Sequence, residues 1–203
     1  MARKMSDYHH GDLRYALLAA AHAVLNEKGI HGLSLRACAA KAGVSHAAPT
    51  HHFKSLSGLL TELAVIAFTD FTATLRQAYN DEDSKAPLQQ RLQTVGDAYL
   101  QFALREPELF KLMFSSPLPD QSNERLCEVS GQAYAELTRV VKPLCDARGI
   151  YEKGAIEQAE ILVWSTIHGY AHLSLKQMSI SGVCDDLKAG MPPIKILGEL
   201  FSA

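Results

Sequence analysis

Histidines are the residues of this chain whose spacing first suggests chemistry, and they are unevenly distributed. Seven of the nine lie within the first 58 residues, and the other two, His168 and His172, are four residues apart. Two histidines at i and i+4 lie on one face of a helix, which is the spacing of many metal-binding pairs. No H-E-x-x-H motif and no nearby third ligand accompany them. A buried, hydrogen-bonded pair is therefore favoured, and no metal site is predicted.

The sequence lacks the motifs of common enzyme mechanisms. It contains no nucleophile elbow and no phosphate-cradling glycine loop. The four cysteines are far apart in sequence and form no C-x-x-C pair, so neither a zinc site nor a disulfide framework is indicated. We predict no catalytic residue and no cofactor. The alternative from another class is an α-helical enzyme or metal-binding protein that uses His168, His172 and neighbouring carboxylates, which metal analysis would distinguish.

A second group of residues suits contact with DNA. Small and polar side chains follow Ser45, namely His46, Ala47, Thr50 and His51, and no carboxylate occurs between Lys28 and Ser57. A threonine can contact a thymine methyl group or donate a hydrogen bond, and histidines can reach phosphates or base acceptors. Residues 1–58 carry a net charge of +4, whereas the whole chain carries −2. This asymmetry mildly favours a polyanionic partner for the N-terminal part.

The elements that would position these side chains are helices. A first helix is predicted from about Asp12, as N-cap, to Lys28-Gly29, and a second helix follows Ser34. The segment Ala42-Gly43-Val44-Ser45 has the length and the glycine of a helix-turn-helix turn. Ser45 is predicted to cap a third helix, which tolerates Pro49 close to its first turn.

The remainder of the chain also shows helical periodicity, and the predicted fold class is all-α. Ser57 is predicted to cap a long helix that ends near Tyr79. Further helices are predicted at Leu88–Phe102, Pro107–Phe114, Leu126–Val141, Ile156–Met178 and Pro192–Phe201. The stretch from Ile161 to Leu175 is apolar on nearly every side, so neighbouring helices or another subunit must cover it. We divide the chain into a three-helix DNA-binding head, residues 1–56, and a larger helical bundle for ligand binding and dimerisation, residues 57–203.

The sequence also bears on location. No continuous apolar run reaches the roughly 18 residues of a membrane span. The first seven residues are followed by polar residues, whereas a signal peptide would continue with an apolar stretch. We expect a cytoplasmic protein without a membrane partner.

One contiguous motif gives the sequence a family resemblance. The run from Gly32 to Ser45, Gly-Leu-Ser-Leu-Arg-Ala-Cys-Ala-Ala-Lys-Ala-Gly-Val-Ser, is followed by His52-Phe53 and Leu59-Leu60. It closely resembles the DNA-binding head of the TetR/AcrR family of repressors. The run Trp164-Ser-Thr-Ile-His-Gly169 resembles the Trp-His-Gly subgroup of these regulators. The resemblance implies a homodimer, joined through the last two long helices of each subunit, that binds a palindromic operator until a small molecule releases it.

The resemblance also implies particular DNA contacts. The expected DNA-binding residues are Ser34, Arg36, Ser45, His46, Ala47, Thr50, His51, His52 and Lys54. Two positions depart from the family pattern, because Thr50 replaces a tyrosine and Leu56 replaces a lysine that usually hold phosphates. Lys54, His51 and His52 are expected to supply part of that backbone clamp.

The effector site is expected among aromatic and soft residues of the larger bundle. The candidate residues are Phe102, Phe110, Met113, Phe114, Tyr134, Trp164, His168 and His172. They would line a cavity for a small apolar or aromatic ligand, with the histidines as polar groups. Plain core packing is the alternative for each, since Phe and Met at helical spacing usually form core. A DNA-binding architectural protein without ligand control is the third interpretation of the chain.

Overall fold

The computed structural model describes the backbone of residues 4–175 and the side chains of residues 13–175. The described residues form α-helices and one 3-10 turn, Ile30–Gly32, and contain no strand, which confirms the predicted all-α class. The helices are α1 Lys4–Lys28, α2 Leu35–Ala42, α3 Ala48–Phe53, α4 Leu56–Asp81, α5 Leu88–Arg105, α6 Pro107–Phe114, α7 Glu124–Asp146 and α8 Lys153–Leu175. The last predicted helix, Pro192–Phe201, lies outside the described residues.

The first helix begins earlier than the sequence suggested. α1 starts at Lys4, so the prediction that Asp12 is its N-cap was wrong. An N-cap residue needs non-helical backbone angles, and the backbone on both sides of Asp12 is already helical. Residues 4–11 contain no proline, and the single glycine there weakens a helix without ending it.

The second helix has both predicted ends. The Ser34 side chain accepts a hydrogen bond from the amide of Ala37 at 3.1 Å, as an N-cap should. Gly43 follows the helix with φ 68° and ψ 30°, a left-handed conformation that favours glycine. The amide of Val44 donates to the carbonyl of Ala39 at 3.0 Å, which completes this glycine-terminated helix end. The predicted helix-turn-helix turn is therefore confirmed in its geometry.

The caps of the next two helices differ from the prediction. α3 begins at Ala48, so Ser45 does not cap it, and Pro49 lies in its first turn, where its missing amide costs no helical hydrogen bond. α4 begins at Leu56, and the side chain of Ser55, not Ser57, accepts from the amide of Gly58 at 3.0 Å. The two errors differ in kind: α4 has two nearby serines, and local sequence alone does not choose between them, whereas α3 begins after Ala47 with no side-chain cap at all.

The described chain divides into two compact units. The first unit comprises the residues up to Phe68 together with Glu108–Ser130, and its core contains Leu17, Leu25, Cys38, Leu59, Phe110 and Leu112. The second unit comprises Thr69–Pro107 together with the described residues from Gly131 to Leu175. Its core contains Phe71, Phe102, Val141, Leu144 and Ile167. α5 and α8 pack against each other inside the second unit.

One described helix satisfies the length and composition of a membrane span. Its apolar window lies within α4, Leu56–Asp81, where mean hydropathy reaches 1.4. Of that window, 61% is buried inside the protein, as in the core helix of a soluble fold. Its apolar character is therefore weak support for a membrane helix.

Candidate DNA interface and candidate effector site

The structure places the predicted DNA-contacting residues on the surface of the first unit. Within α2 and the turn before α3, Ser34, Arg36, Ser45, His46 and Ala47 are exposed. On α3 and just after it, Thr50, His51 and Lys54 are also exposed, and His52 is half-buried. The sequence thus selected side chains that are open to a partner. The residues between them that face inward are Cys38, Ala39, Pro49 and Phe53.

A strained turn ends the candidate recognition helix α3. Lys54 has φ 67° and ψ −46°, the one positive φ among the non-glycine residues that the structure describes. The amide of Ser55 donates to the carbonyl of Phe53 at 2.8 Å across this residue. These angles and this bond define a γ-turn of the rare, strained type. Lys54 therefore reverses the chain between α3 and α4 and presents its ammonium group beside the recognition helix.

Arg14, on α1, connects the end of the recognition helix to α4. Its guanidinium group lies 5.2 Å from the centroid of the Phe53 ring and forms an ion pair with Glu62 at 2.8 Å. A cleft of about 300 Å³ lies at this junction. Its lining contains Arg14, His52, Phe53, Lys54, Ser55, Ser57, Gly58, Thr61, Glu62, Asp120 and Asn123. This cleft shares only His52 and Lys54 with the predicted DNA-contact set and no residue with the predicted effector set.

The loop between α6 and α7 is attached to the start of α4. The Ser57 hydroxyl donates to the carbonyl of Leu118 at 2.7 Å, and the Asp120 amide donates to the Thr61 hydroxyl at 2.8 Å. Arg125 adds an ion pair with Glu62 at 3.3 Å. Sequence reasoning missed these contacts because residues about 60 positions apart carry no local signal of proximity.

The predicted effector residues fall into two groups. Phe110, Met113 and Phe114 belong to the first unit, where Phe114 packs against Phe110 at 4.9 Å and against Phe68 at 5.3 Å between ring centroids. Phe110 is fully buried and Met113 is 7% exposed. In the first unit, therefore, these three side chains have the packing of core residues.

The second group lies in the second unit and includes a polar network. Phe102 is buried at 1% exposure, but Tyr134, Trp164, His168 and His172 are exposed or half-buried. The Tyr99 hydroxyl lies 2.7 Å from Nδ1 of His168, and Nε2 of His168 lies 3.0 Å from Nε2 of His172. The sequence had predicted a buried, hydrogen-bonded histidine pair; the hydrogen bond is confirmed, but both rings are half-buried.

Tyr99 and Glu160 are polar members of this network that sequence reasoning missed. Tyr99 has the helical spacing of the apolar residues of α5, so in the sequence it is indistinguishable from a core aromatic. Glu160 is 3% exposed and accepts a hydrogen bond from the Tyr134 hydroxyl at 2.6 Å. No group of three or more His, Cys, Asp or Glu side chains suited to a metal ion occurs among the residues that the structure describes.

Burial controls the protonation of His168. Desolvation, with a smaller contribution from His172, lowers the pKa of His168 from 6.5 to about 4. The unfolded chain therefore binds this proton more readily, so the stabilising contribution is complete above pH 6.5 and is lost as the pH falls toward 4. We expect the urea midpoint to decrease across this interval and the decrease to be smaller for His168→Gln. His31→Gln, at an exposed histidine, is the control. Equal pH slopes for wild type and His168→Gln would contradict this assignment.

Comparison with known proteins decides the family. The model of bacterial regulatory proteins, tetR family, matches residues 17–63, and the model of the tetracyclin repressor-like C-terminal domain matches residues 92–187. The chain belongs to the TetR family of transcription regulators. The match to the head includes the helix-turn-helix, and the chain is a DNA-binding transcription regulator with a helical C-terminal domain.

Solved structures share this fold over most of the chain. A protein with unknown function from Rhodococcus sp. RHA1 is 32% identical, with a TM-score of 0.74 and coverage of 96% of this chain and 95% of that one. The TetR family regulator PfmR from Thermus thermophilus is 20% identical, with a TM-score of 0.60 and coverage of 77% and 84%. The regulator FadR from Bacillus subtilis, solved with stearoyl-CoA, is 18% identical, with a TM-score of 0.65 and coverage of 92% and 96%. No curated protein matches the chain in sequence.

Membership of the TetR family gives the two parts of the molecule their general roles. Regulators of this family bind DNA and small-molecule effectors and are in general not enzymes. The C-terminal model extends from α5 beyond α8 and so includes Tyr134, Trp164 and the histidine pair. The assignment to the Trp-His-Gly subgroup stays a prediction.

Proposed function

We propose that this TetR family chain is a cytoplasmic repressor that binds a palindromic operator as a homodimer and is released by a small effector. The observation that carries the DNA part is the surface around α3. Exposed Ser45, His46, Thr50, His51 and Lys54 adjoin one another there, in a segment without carboxylates. A surface of small, polar and cationic groups suits insertion into a major groove flanked by phosphates.

The individual contacts follow from position. Ser34 and Arg36 at the start of α2 would contact the DNA backbone, and His46, Ala47, Thr50 and His51 would face base edges. Lys54, with His51 and His52, would supply part of the phosphate clamp. In the family pattern this clamp comes from a tyrosine and a lysine, at the positions of Thr50 and Leu56 here. Residues 1–56 would thus contact DNA, and residues 57–203 would dimerise and bind the effector.

The exposed face of α8 supports the proposed homodimer. Ile161 is 55% exposed and Leu162 is 52% exposed, although both are large and apolar. Adjacent exposed apolar side chains of this size favour a protein contact. A two-fold dimer would hold two recognition helices about 34–36 Å apart, one turn of DNA. Light scattering should then give twice the chain mass of 22.2 kDa.

The effector is proposed to bind in the second unit. Tyr134, Trp164, His168 and His172 lie together there and combine aromatic surface with polar groups. The structurally similar FadR from Bacillus subtilis was solved with stearoyl-CoA, which supports a ligand-responsive role without identifying the ligand of this chain.

Fluorescence anisotropy with the DNA upstream of the gene, measured across a salt series, tests the proposal. In a homodimer, Lys54→Ala removes two phosphate contacts, so the slope of log K against log salt should fall by about 1.8. Thr50→Ala and His51→Ala should weaken specific binding. Lys153→Ala is the control, because Lys153 is an exposed lysine of the second unit. An unchanged slope for Lys54→Ala would refute its role, and absence of specific binding to upstream or genome-selected DNA would refute the operator proposal.

A further inference from the structure

Glu160 is a buried carboxylate whose one hydrogen-bond donor, among the side chains that the structure describes, is a neutral hydroxyl. Its side chain lies on α8 at 3% residue exposure, and the Tyr134 hydroxyl donates to its Oε2 at 2.6 Å. Within residues 13–175, no lysine or arginine forms an ion pair with it. Burial of a carboxylate is costly unless a cation or several donors compensate for the lost water. One tyrosine hydroxyl leaves most of that cost uncompensated.

Glu136, in the same unit, shows how this protein otherwise stabilises a buried carboxylate. Glu136 is 5% exposed, close to the value for Glu160. Arg76 contacts its Oε1 at 2.8 Å, and Arg139 contacts its Oε2 at 3.3 Å. Two guanidinium groups thus neutralise one buried acid, whereas Glu160 has no such partner in the described chain. Because of this difference, the Glu160 carboxylate could still form an ion pair with a cation.

Two aromatic rings near this carboxylate are partly exposed in the single chain. Trp164 follows Glu160 by one helical turn and is 38% exposed, and Tyr134 is 40% exposed. Their ring centroids are 6.4 Å apart with the planes inclined by 78°, so the two rings form a corner. Aromatic faces attract cations, and a corner of rings beside a carboxylate is a known arrangement for ammonium groups.

A second carboxylate, that of Glu157, adds to the negative charge near the Tyr134 ring. Hydrogen bonding to Glu160, and then burial and the charges of Glu160 and Glu157, raise the pKa of Tyr134 to about 12. Glu157 is exposed and pairs with Lys153 at 3.6 Å, so it contributes a screened charge. Both carboxylates thus add negative charge at the Tyr134 hydroxyl, and the contribution of Glu160 is the larger.

We propose that Glu160, Tyr134 and Trp164 bind the positively charged group of an organic cation, and that such a cation is the effector of this regulator. The inference rests on the proposed ligand-responsive function and adds the charge of the ligand to it. An ammonium or quaternary ammonium group would contact the carboxylate and the ring faces, and its apolar or aromatic body would extend along the exposed rings. A metal ion fits less well, since the corner offers one carboxylate rather than several ligands.

The chain contains a built-in reporter of this site. Trp164 is its single tryptophan, so intrinsic tryptophan fluorescence reports on the corner and nothing else. We would titrate the purified full-length protein with benzyltrimethylammonium at constant ionic strength. The matched neutral compound is 2-methyl-1-phenyl-2-propanol, in which carbon replaces the charged nitrogen and a hydroxyl replaces one methyl group. We expect saturable quenching by the cation and none at equal concentration of the neutral compound.

Variants distinguish a binding site from a structural hydrogen bond. Glu160→Gln keeps the shape and should weaken cation binding about tenfold or more, because it removes the charge partner. Tyr134→Phe removes the neutral donor and keeps the ring, so cation binding should persist. Glu157→Gln, at the exposed neighbouring carboxylate, should change the affinity by less than about threefold. Equal loss in Glu160→Gln and Tyr134→Phe would show a structural pair and overturn the inference.

Two further outcomes separate this inference from the proposed function. Operator binding without the cation is measured by anisotropy on the same preparations. A protein that does not bind its operator but shows quenching by the cation would refute the proposed function and not the cation site. Absence of quenching in a protein that binds its operator would refute the cation site alone. Lower thermal stability of Glu160→Gln combined with absence of quenching would mean that residues beyond 175 or a second copy supply the counterion, which also overturns the inference.

Discussion

Replacement of Gly58 by alanine is expected to disable the DNA-binding head. A Cβ atom at this position would overlap the carbonyl oxygen of Phe53 and lie 3.3 Å from its carbonyl carbon. Real Cβ atoms do not approach backbone this closely, so the junction between α3 and α4 must shift. We expect a loss of about 3 kcal/mol in the free energy of unfolding, at the upper end of single substitutions. Phe53 ends the recognition helix, so operator affinity should also fall more than tenfold.

Gly131 supplies the matched control for this substitution. It is an exposed glycine inside α7, and a Cβ atom there meets no heavy atom within 4 Å. Gly131→Ala should therefore stabilise the protein by about 0.5–1 kcal/mol, as in other exposed helix interiors. Urea denaturation and operator anisotropy measure both variants. If Gly58→Ala had the stability and affinity of wild type, the close approach of Phe53 to α4 would be wrong.

Truncation of Phe102 to alanine is expected to cost about 3–5 kcal/mol of unfolding free energy. The ring is 1% exposed and packs edge-to-face against Phe71 at 5.0 Å between centroids. Alanine would leave a cavity in the core of the second unit. The sequence had proposed Phe102 as an effector-lining residue, and its burial and packing favour the core alternative.

A substitution on the same helix serves as the reference for Phe102. Leu104 lies on α5 but is 51% exposed, so Leu104→Ala should change the unfolding free energy by about 0.5 kcal/mol or less. Both values come from urea denaturation followed by circular dichroism. A cost below about 1 kcal/mol for Phe102→Ala would show that the ring borders a cavity rather than filling the core.

The sequence was sufficient for the features of the head that local chemistry determines. The start of α2 after Ser34 and the glycine turn at Ala42–Ser45 depend on residues within a few positions of one another, and the structure has both of them. The same local reasoning chose Ser45 and Ser57 as caps and was wrong for both. The buried Pro49 in the first turn of α3 and the approach of Phe53 to Gly58 fix those helix starts, and both are tertiary features.

The candidate effector site was less predictable, because its chemistry depends on contacts between separate helices. Tyr134 and Trp164 were selected as aromatic residues, but their exposure could not be inferred from helical spacing. Glu160 looks like any surface glutamate in the sequence, and its burial emerges only when α7 and α8 pack. Similarly, Glu62 forms ion pairs with Arg14, which lies far before it in the sequence, and with Arg125, which lies far after it.

The attachment of the α6–α7 loop to α4 has a consequence for synthesis. Ser57 donates to Leu118 and Thr61 accepts from Asp120, so the first unit is assembled from two stretches separated by about forty residues of the other unit. A ribosome that has released only the first 68 residues has therefore supplied an incomplete unit. The contacts of α4 with Leu118, Asp120 and Arg125 can form only after those residues have been synthesised. Operator binding during translation should begin only after the start of α7 has emerged, which delays DNA occupancy until most of each chain has been made.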